Sequence, residues 1–510
     1  MPPVALTGDD LTVADVWSVA VERRPTALAD SARDKMRAAR EVVERAAHGA
    51  REHTYGVNTG FGRFVSRSIP EELTEELQLR LLRSHACGVG EPYPDEIVRA
   101  AMLLRANTLA KGNSGARVET VELVLACLDR GLVPVVPARG SVGASGDLAP
   151  LAHSALVLVG EGEATFDGKR MTGAEALKRA DLKPLELAPK EALALINGTQ
   201  VMTAIGCLAL HDAEVLSTSA DIVGALSAEA LRATDAAWDA ALHAERPHPG
   251  QEVVAANLRR LVHGSPIIAS HREGDPRVQD PYSVRCMPQV HGASRDALAY
   301  TRRVLEIEIN SVTDNPLVFA EEKRIVSGGN FHGQPVAVAL DLATIAVAEL
   351  ADISESRIDR MTNGHTSGLP AFLSPDPGRN SGFMVAQYTA AALVAENRLR
   401  AMPASVESIP TSADMEDHVS MGVHAAHKVA AVVANTRDVL AIEALCAAQG
   451  LDLLAMTSSA ALEAARRVIR EHVARLETDR PLAPDISSMR DVIARDLVAT
   501  AVRHAAGELR

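Results

Sequence analysis

The sequence predicts a mainly α protein: long antiparallel helices gathered in a bundle, with a smaller mixed region at the N-terminus. Three observations carry this. From about residue 190, Ala- and Leu-rich stretches run far longer than an average globular helix, at roughly 199–232, 288–312, 334–361, 383–400, 417–447 and 458–476. Strand-like patterning in that half is confined to one short hairpin, 317–319 to 324–327. Residues 1 to about 110, by contrast, alternate helical stripes with glycine-rich loops. The expected division is a mixed region at 1–110 and a helical region at 111–510, with further burial of apolar helix faces between subunits.

Taken in order, 31–47 places Met36, Ala39, Val43 and Ala46 on one helical stripe. His53 to Gly62 follows, and its glycines make it a loop that carries Tyr55. Helical patterns resume at 71–84 and 95–111. Val133-Pro134-Val135-Val136-Pro137 is extended, because each proline disfavours helix at its own position and the one before. A helix over about 147–159 comes next. Gly160-Glu161-Gly162 superficially resembles a dinucleotide fingerprint, but Thr165 stands where a third glycine is needed. Asp167-Gly168 between short strand-like runs fits a two-residue hairpin instead.

Composition bounds the function. The formal net charge of the 510 residues is −14, with no basic tract, which argues against a nucleic-acid partner. The five cysteines, Cys87, Cys127, Cys207, Cys286 and Cys446, are far apart and form no Cys-x-x-Cys pair, so neither a disulfide framework nor a zinc site is expected. Residues 1–13 lack the basic and apolar regions of a signal peptide. The most apolar run, 336–353, is interrupted by Asp341 and Glu349, which a bilayer would penalise. The expectation is a soluble, cytoplasmic protein without a membrane partner.

The stretch with unusual chemical potential is Ala144-Ser145-Gly146, within residues 140–150. A nucleophile elbow needs Gly-x-Ser-x-Gly, and here Gly146 follows Ser145 directly. A phosphate-binding loop needs a lysine that this stretch lacks. The plain reading is a glycine-rich turn before a helix, with Asp147 near its N-terminus. The other reading starts from Gly146, whose backbone nitrogen can approach the Ala144 carbonyl closely because it carries no side chain. Attack there closes a five-membered ring, and dehydration at Ser145 leaves an exocyclic methylidene, an electrophile that no ordinary side chain supplies.

The string Gly-Ser-Val-Gly-Ala-Ser-Gly-Asp-Leu-Ala-Pro-Leu-Ala-His, ending at His153, closely resembles the signature of the aromatic amino acid ammonia-lyases. In that family Ala-Ser-Gly cyclises unaided into a methylidene-imidazolone prosthetic group. The resemblance extends from about Leu11 to Asp485 and is closest to the members that act on histidine. It implies elimination of ammonia from L-histidine to give trans-urocanate, with Ala144, Ser145 and Gly146 forming the electrophile and no metal or nucleotide involved. It also implies a homotetramer with active sites shared between subunits.

Four further stretches match by residue. In Ser84-His85, the resemblance sets the His85 imidazole against the substrate side chain, where the residues alone suggest a surface group at a helix end. In Asn197-Gly198-Thr199-Gln200, otherwise an ordinary turn, it puts the Asn197 amide on the substrate carboxylate or the prosthetic-group oxygen. In 277–286, Arg285 would pair bidentately with the α-carboxylate, with Gln279 and Tyr282 as neighbours that bind the carboxylate and hold or polarise the ring, Tyr282 counted among the catalytic residues; a surface salt bridge is the alternative for Arg285. In 328–333 and 411–418, Phe331 would shield the site and Glu416 would accept a hydrogen bond from the imidazole, a contact useless to a plain phenyl ring. Helix capping by Asp414 or Glu416 is the alternative there. Met415 departs from the family, which usually carries an amide before this glutamate.

Tyr55 is the candidate base for the β-proton. A phenol titrates near 10 and must be shifted down by nearby positive charge or by hydrogen bonds to the phenolate. His418, His424 and His427, expected in one helical stretch, offer a competing metal site, but the His-Glu-x-x-His pattern is absent. Phenylalanine or tyrosine lyase and aminomutase chemistry stay open within the family. A helical scaffold that kept the motif and lost the chemistry stays open outside it.

Overall fold

The computed structural model describes residues 2–49, 59 and 74–510, and these are mostly helical. The long helices expected from Ala- and Leu-rich patterning form at Gln200–Ala230, Met287–Glu308, Gln334–Thr362, Met384–Arg400, Gly422–Leu454 and Ala460–His472. Gly422–Leu454 begins later than the expected 417, because residues 417–421 form a loop instead. Helices at Val118–Arg130, Pro249–Leu261 and Leu497–Ala506 were not anticipated, although the first carries an apolar stripe at Val118, Val121, Val124, Leu125 and Leu128 and ends at the left-handed Gly131.

The chain divides into two compact units. The first comprises Met1–His211, Arg302–Asp341 and Pro403–His427. Its helix Val13–Ala20 starts with a reciprocal cap, in which Thr12 Oγ1 accepts the Asp15 N–H at 3.1 Å and Asp15 accepts the Thr12 N–H at 3.2 Å. The stripe on Asp30–Gly49 is buried at Met36, Ala39 and Val43, and it packs with Val318 of the hairpin Leu317–Phe319/Arg324–Val326. Helix Asp95–Ala110 is buried at every residue from Val98 to Ala110, as expected of a helix surrounded by others. Its Arg99 stays solvated by carbonyls: it donates to Val19 and Ala20 at the end of one helix and to Leu128 near the end of another, at 2.8, 3.1 and 2.9 Å.

The strands of this unit are short. Val4–Leu6 pairs in parallel with Thr26–Leu28. Val133–Pro134 pairs antiparallel with Glu163–Phe166, which pairs with Lys169–Thr172 across the left-handed Asp167-Gly168 turn. The proline strand sits at the edge of this sheet, where a missing N–H costs least. Pro137–Arg139 pairs with Val89–Pro92 and delivers the chain to Gly140.

The second unit comprises Asp212–Thr301, Leu342–Met402 and Lys428–Arg510. Buried polar pairs cross-link its helices. Arg357 and Glu443 are wholly buried and joined at 2.5 Å, with Ser227 and Ser354 also donating to Glu443. Asp221 accepts from His291, Arg295 and Asn257 at 2.8, 2.7 and 2.9 Å. Such groups tolerate burial because each charge finds a partner. No helix among the described residues is long and apolar enough to cross a membrane.

Candidate active site

Residues 140–150 are not a free turn. Asp147, expected beside its own helix, makes no cap bond to Leu148–Leu158. Its fully buried carboxylate instead accepts the N–H groups of Val201 and Met202, both at 2.9 Å, in the first turn of Gln200–Ala230. Those orphan donors and the positive helix end favour an oxygen anion there. Ser141 donates to the other carboxylate oxygen at 3.1 Å. Burial outweighs these bonds and pushes the Asp147 carboxyl up to about 7.

The next tie is to Asn197-Gly198. Gly198 N–H donates to the Ser145 carbonyl at 3.2 Å, and the Gly198 carbonyl accepts the Asp147 N–H at 2.7 Å. Ser145 and Gly146 both have left-handed backbone, with φ of 51° and 77°. A Cβ on Gly146 would lie 2.1 Å from the Gly198 oxygen, so only glycine fits. Asn197 is buried, and its amide donates to Asp314 at 3.1 Å and to the Asn315 carbonyl at 3.2 Å. Asp314 in turn makes a wholly buried ion pair with Lys190 at 2.8 Å. Arg105, also buried, donates to the Asn197 carbonyl at 2.6 Å, and burial lowers its guanidinium to about 10.

Glu416 arrives from the far side of the sequence. Its Oε1 accepts the Ser145 hydroxyl at 2.9 Å, and its Oε2 accepts the Thr411 hydroxyl at 2.8 Å. Thr411 and Glu416 also exchange backbone hydrogen bonds, at 2.9 and 3.3 Å, closing a loop in which Ser412, Ala413 and Asp414 are all left-handed. That conformation is costly for residues with a side chain, so the surrounding structure must hold it. Met421 N–H donates to the Val142 carbonyl at 2.9 Å, stitching the same segment to the Ala-Ser-Gly loop. Helix capping by Asp414 or Glu416 is overturned, because the helix starts at Gly422 and Ser420 Oγ accepts its N–H at 3.3 Å.

His85 ends helix Thr74–His85. Its Nδ1–H donates to the Leu81 carbonyl at 2.9 Å, which leaves Nε2 as the acceptor of the neutral ring. Burial pushes the imidazole below its usual range, against the opposing pull of the Leu81 carbonyl and the Glu416 charge. His85, Cys87, Val142, Ala144 and Gly146 line one pocket of about 200 Å³.

The structure therefore brings His85, Ala144, Ser145, Gly146, Asn197 and Glu416 together in the first unit. Phe331 is half-buried in the same unit, beside His332, which donates to the His418 carbonyl at 3.1 Å and stacks on its ring. Gln279, Tyr282 and Arg285 belong to the second unit. There Tyr282 is 71% exposed, and Arg285 lies 4.6 Å over its ring. Arg277 is spent on Asp275 and the carbonyls of Leu231 and Arg232. Arg285 has no carboxylate partner among the described residues, so the salt-bridge alternative does not hold there, and its buried Nε lacks an acceptor. Tyr55 lies outside the described residues.

The expected histidine stretch is corrected too. His418 precedes the helix that carries His424 and His427, and His427 bonds the Tyr93 hydroxyl at 2.8 Å. Among the described residues no cluster of three or more His, Cys, Asp or Glu could hold a metal. Sequence reasoning gave Thr411 no role of its own, and it missed the anchoring by Asp147, which acts on amides 54 and 55 residues away.

The aromatic amino acid lyase family profile matches residues 11–471. A histidine ammonia-lyase of Symbiobacterium thermophilum is 54% identical over 503 residues, spanning 98% of this chain and 99% of that one. The crystal structure of histidine ammonia-lyase from Trypanosoma cruzi is similar at a TM-score of 0.92 and 42% identity, over 99% of this chain and 96% of that chain. The tyrosine aminomutase of Streptomyces globisporus is similar at a TM-score of 0.94 and 40% identity, over the whole of both chains. With a signature tripeptide seated as described and a profile matched along most of its length, the chain belongs to the aromatic amino acid lyase family.

Proposed function

We propose that this chain is a lyase that eliminates ammonia from L-histidine to give trans-urocanate. The observation that carries the reading is the Glu416 carboxylate 2.9 Å from the Ser145 hydroxyl, with the His85 imidazole near enough to feel its charge. A substrate imidazole beside the Ser145 carbon then meets a hydrogen-bond acceptor, which an apolar aromatic ring would leave unpaired. A site built to bond a polar group rejects analogues lacking it far better than an apolar pocket sorts by size. That ranks histidine above phenylalanine.

The residues at 144–146 fit a methylidene-imidazolone. Their backbone is tightly bent, Gly146 is bare where a Cβ would strike Gly198, and the Ser145 hydroxyl points to a proton-exchanging group. When formed, this group supplies the electrophilic carbon that the twenty side chains lack. No metal or nucleotide is part of the reading.

The roles assigned to this chain's own residues follow from their chemistry. Arg285, with its uncommitted guanidinium, is suited to bidentate pairing with the substrate carboxylate, and Gln279 and Tyr282 stand beside it in the sequence. Asn197, whose amide nitrogen donates to Asp314 and the Asn315 carbonyl in the free chain, is assigned to the substrate carboxylate or the prosthetic-group oxygen, for which it must exchange one of those bonds. Phe331 excludes water from one side. Tyr55, in the glycine-rich stretch of the mixed 1–110 region, takes the β-proton. The exposure of Tyr282 in a single chain supports a homotetramer in which subunits complete each other's sites. We place the enzyme in the cytoplasm, with no nucleic-acid or membrane partner.

The test is ultraviolet detection of urocanate from purified protein with L-histidine, run in parallel with L-tyrosine and L-phenylalanine and with product analysis for β-amino acids. Turnover of tyrosine or formation of a β-amino acid in preference to urocanate overturns the histidine reading and leaves the family intact.

A further inference from the structure

In the unmodified chain, Glu416 is bonded to the very hydroxyl that must leave Ser145. We propose that Glu416 has a second task that precedes any substrate: it transfers a proton to the departing Ser145 oxygen and so drives maturation of the prosthetic group. The inference rests on the methylidene-imidazolone reading above.

The balance of atoms shows why such a group is needed. Ring closure forms a bond from Gly146 N to the Ala144 carbonyl carbon. The Ala144 oxygen leaves as water, taking the Gly146 and Ser145 amide protons. Dehydration then breaks the Ser145 Cβ–Oγ bond and the Cα–H bond and forms Cα=Cβ. Hydroxide is a poor leaving group, so Oγ must gain one proton to leave as a second water. The Cα proton is released and one proton reaches Oγ through Glu416, which ends in the state it began. The Glu416 oxygen, at 2.9 Å, is within the range for such transfer.

The surroundings hold that carboxylate in place. Thr411 binds its second oxygen, and the closed left-handed loop from Thr411 to Glu416 fixes the backbone behind it. Ser141, the nearest other hydroxyl in the loop, is engaged with Asp147 and the Gly146 carbonyl. Asp147 is itself turned to Ser141, Val201 and Met202. Thr411 is thus a positioning residue and Glu416 the proton carrier.

The experiment follows intact mass and ring absorbance over time in the full-length chain made in a cell-free system. The unaltered chain should lose the mass of two waters. Glu416→Gln keeps the shape and an acceptor for the hydroxyl but cannot relay a proton. It should accumulate a species lighter by one water and lose the second roughly 10²-fold more slowly, the low end of what a positioned acid or base contributes. Thr411→Val should slow the second loss and Thr411→Ser should restore it. Loss of two waters by Glu416→Gln at the unaltered rate overturns the proposal. Should Glu416→Gln fail to fold, equal rates in Thr411→Val and Thr411→Ser overturn it equally. An unaltered chain that keeps its full mass removes the lyase reading itself, so the two failures are distinct.

Discussion

Gly146 lies against Gly198 so closely that a methyl group on it would sit 2.1 Å from the Gly198 oxygen. The contact joins the Ala-Ser-Gly loop to the start of Gln200–Ala230 and leaves room for backbone only. Gly146→Ala should therefore destabilise the fold and abolish ring absorbance. Both the clash and the φ of 77° act, and the left-handed conformation alone costs about 1–2 kcal/mol. Urea denaturation with absorbance readings checks both effects; a stable, absorbing variant contradicts the packing argument.

Asp147→Ala should leave the Val201 and Met202 amides without their acceptor and cost about 1–2 kcal/mol, as lost caps do. Asp147→Asn should cost less, because its amide oxygen can replace Oδ2. Chemical denaturation of the two variants side by side gives the difference.

The same residue predicts a pH dependence. Burial raises the Asp147 carboxyl from 3.8 to about 7. Between these values the unfolded chain has lost the proton and the folded chain keeps it. Stability contributed by this group is full below the unfolded value and falls as pH rises through about 7. Asp147→Asn should flatten that portion of the stability–pH curve. Unchanged curvature in the variant would assign the slope to other groups.

Lys190→Met should destabilise the first unit by about 3–5 kcal/mol, because it strips the partner from the wholly buried Asp314. Asp314 also holds Asn197, so the variant should mature poorly as well. Adding Asp314→Asn to Lys190→Met should recover part of the stability, and thermal melting of the single and double variants reads it.

Arg285→Lys should raise KM for histidine more than it lowers kcat, since a lysine keeps the charge and loses the fork. A loss of about 1.5–3 kcal/mol is typical for a hydrogen bond to a charged group, roughly 10- to 150-fold. Steady-state kinetics normalised to ring content make the measurement. An unchanged KM would remove Arg285 from carboxylate binding.

Much of this protein was readable in one dimension. The stripe Met36, Ala39, Val43 and the two hairpins formed where expected, because periodicity and turn residues act over a few positions. The parallel pair Val4–Leu6/Thr26–Leu28 escaped notice, since strands of three residues leave no pattern. His418 was placed in a helix because its neighbours are helical. Its segment is instead held by Met421 bonding to Val142, a contact that spans most of the chain.

Composition, helical periodicity and the Ala144-Ser145-Gly146 string by themselves determined the helical class and the tripeptide at the centre of the site, because these depend on residue identity and short spacing. Which groups face that tripeptide was decided only by the fold. Glu416 reaches Ser145 across 271 residues, and Asp147 serves a distant helix rather than its own. A hydrogen bond needs its partners within about 3 Å, and nothing in the order of residues reveals such proximity until the chain has packed.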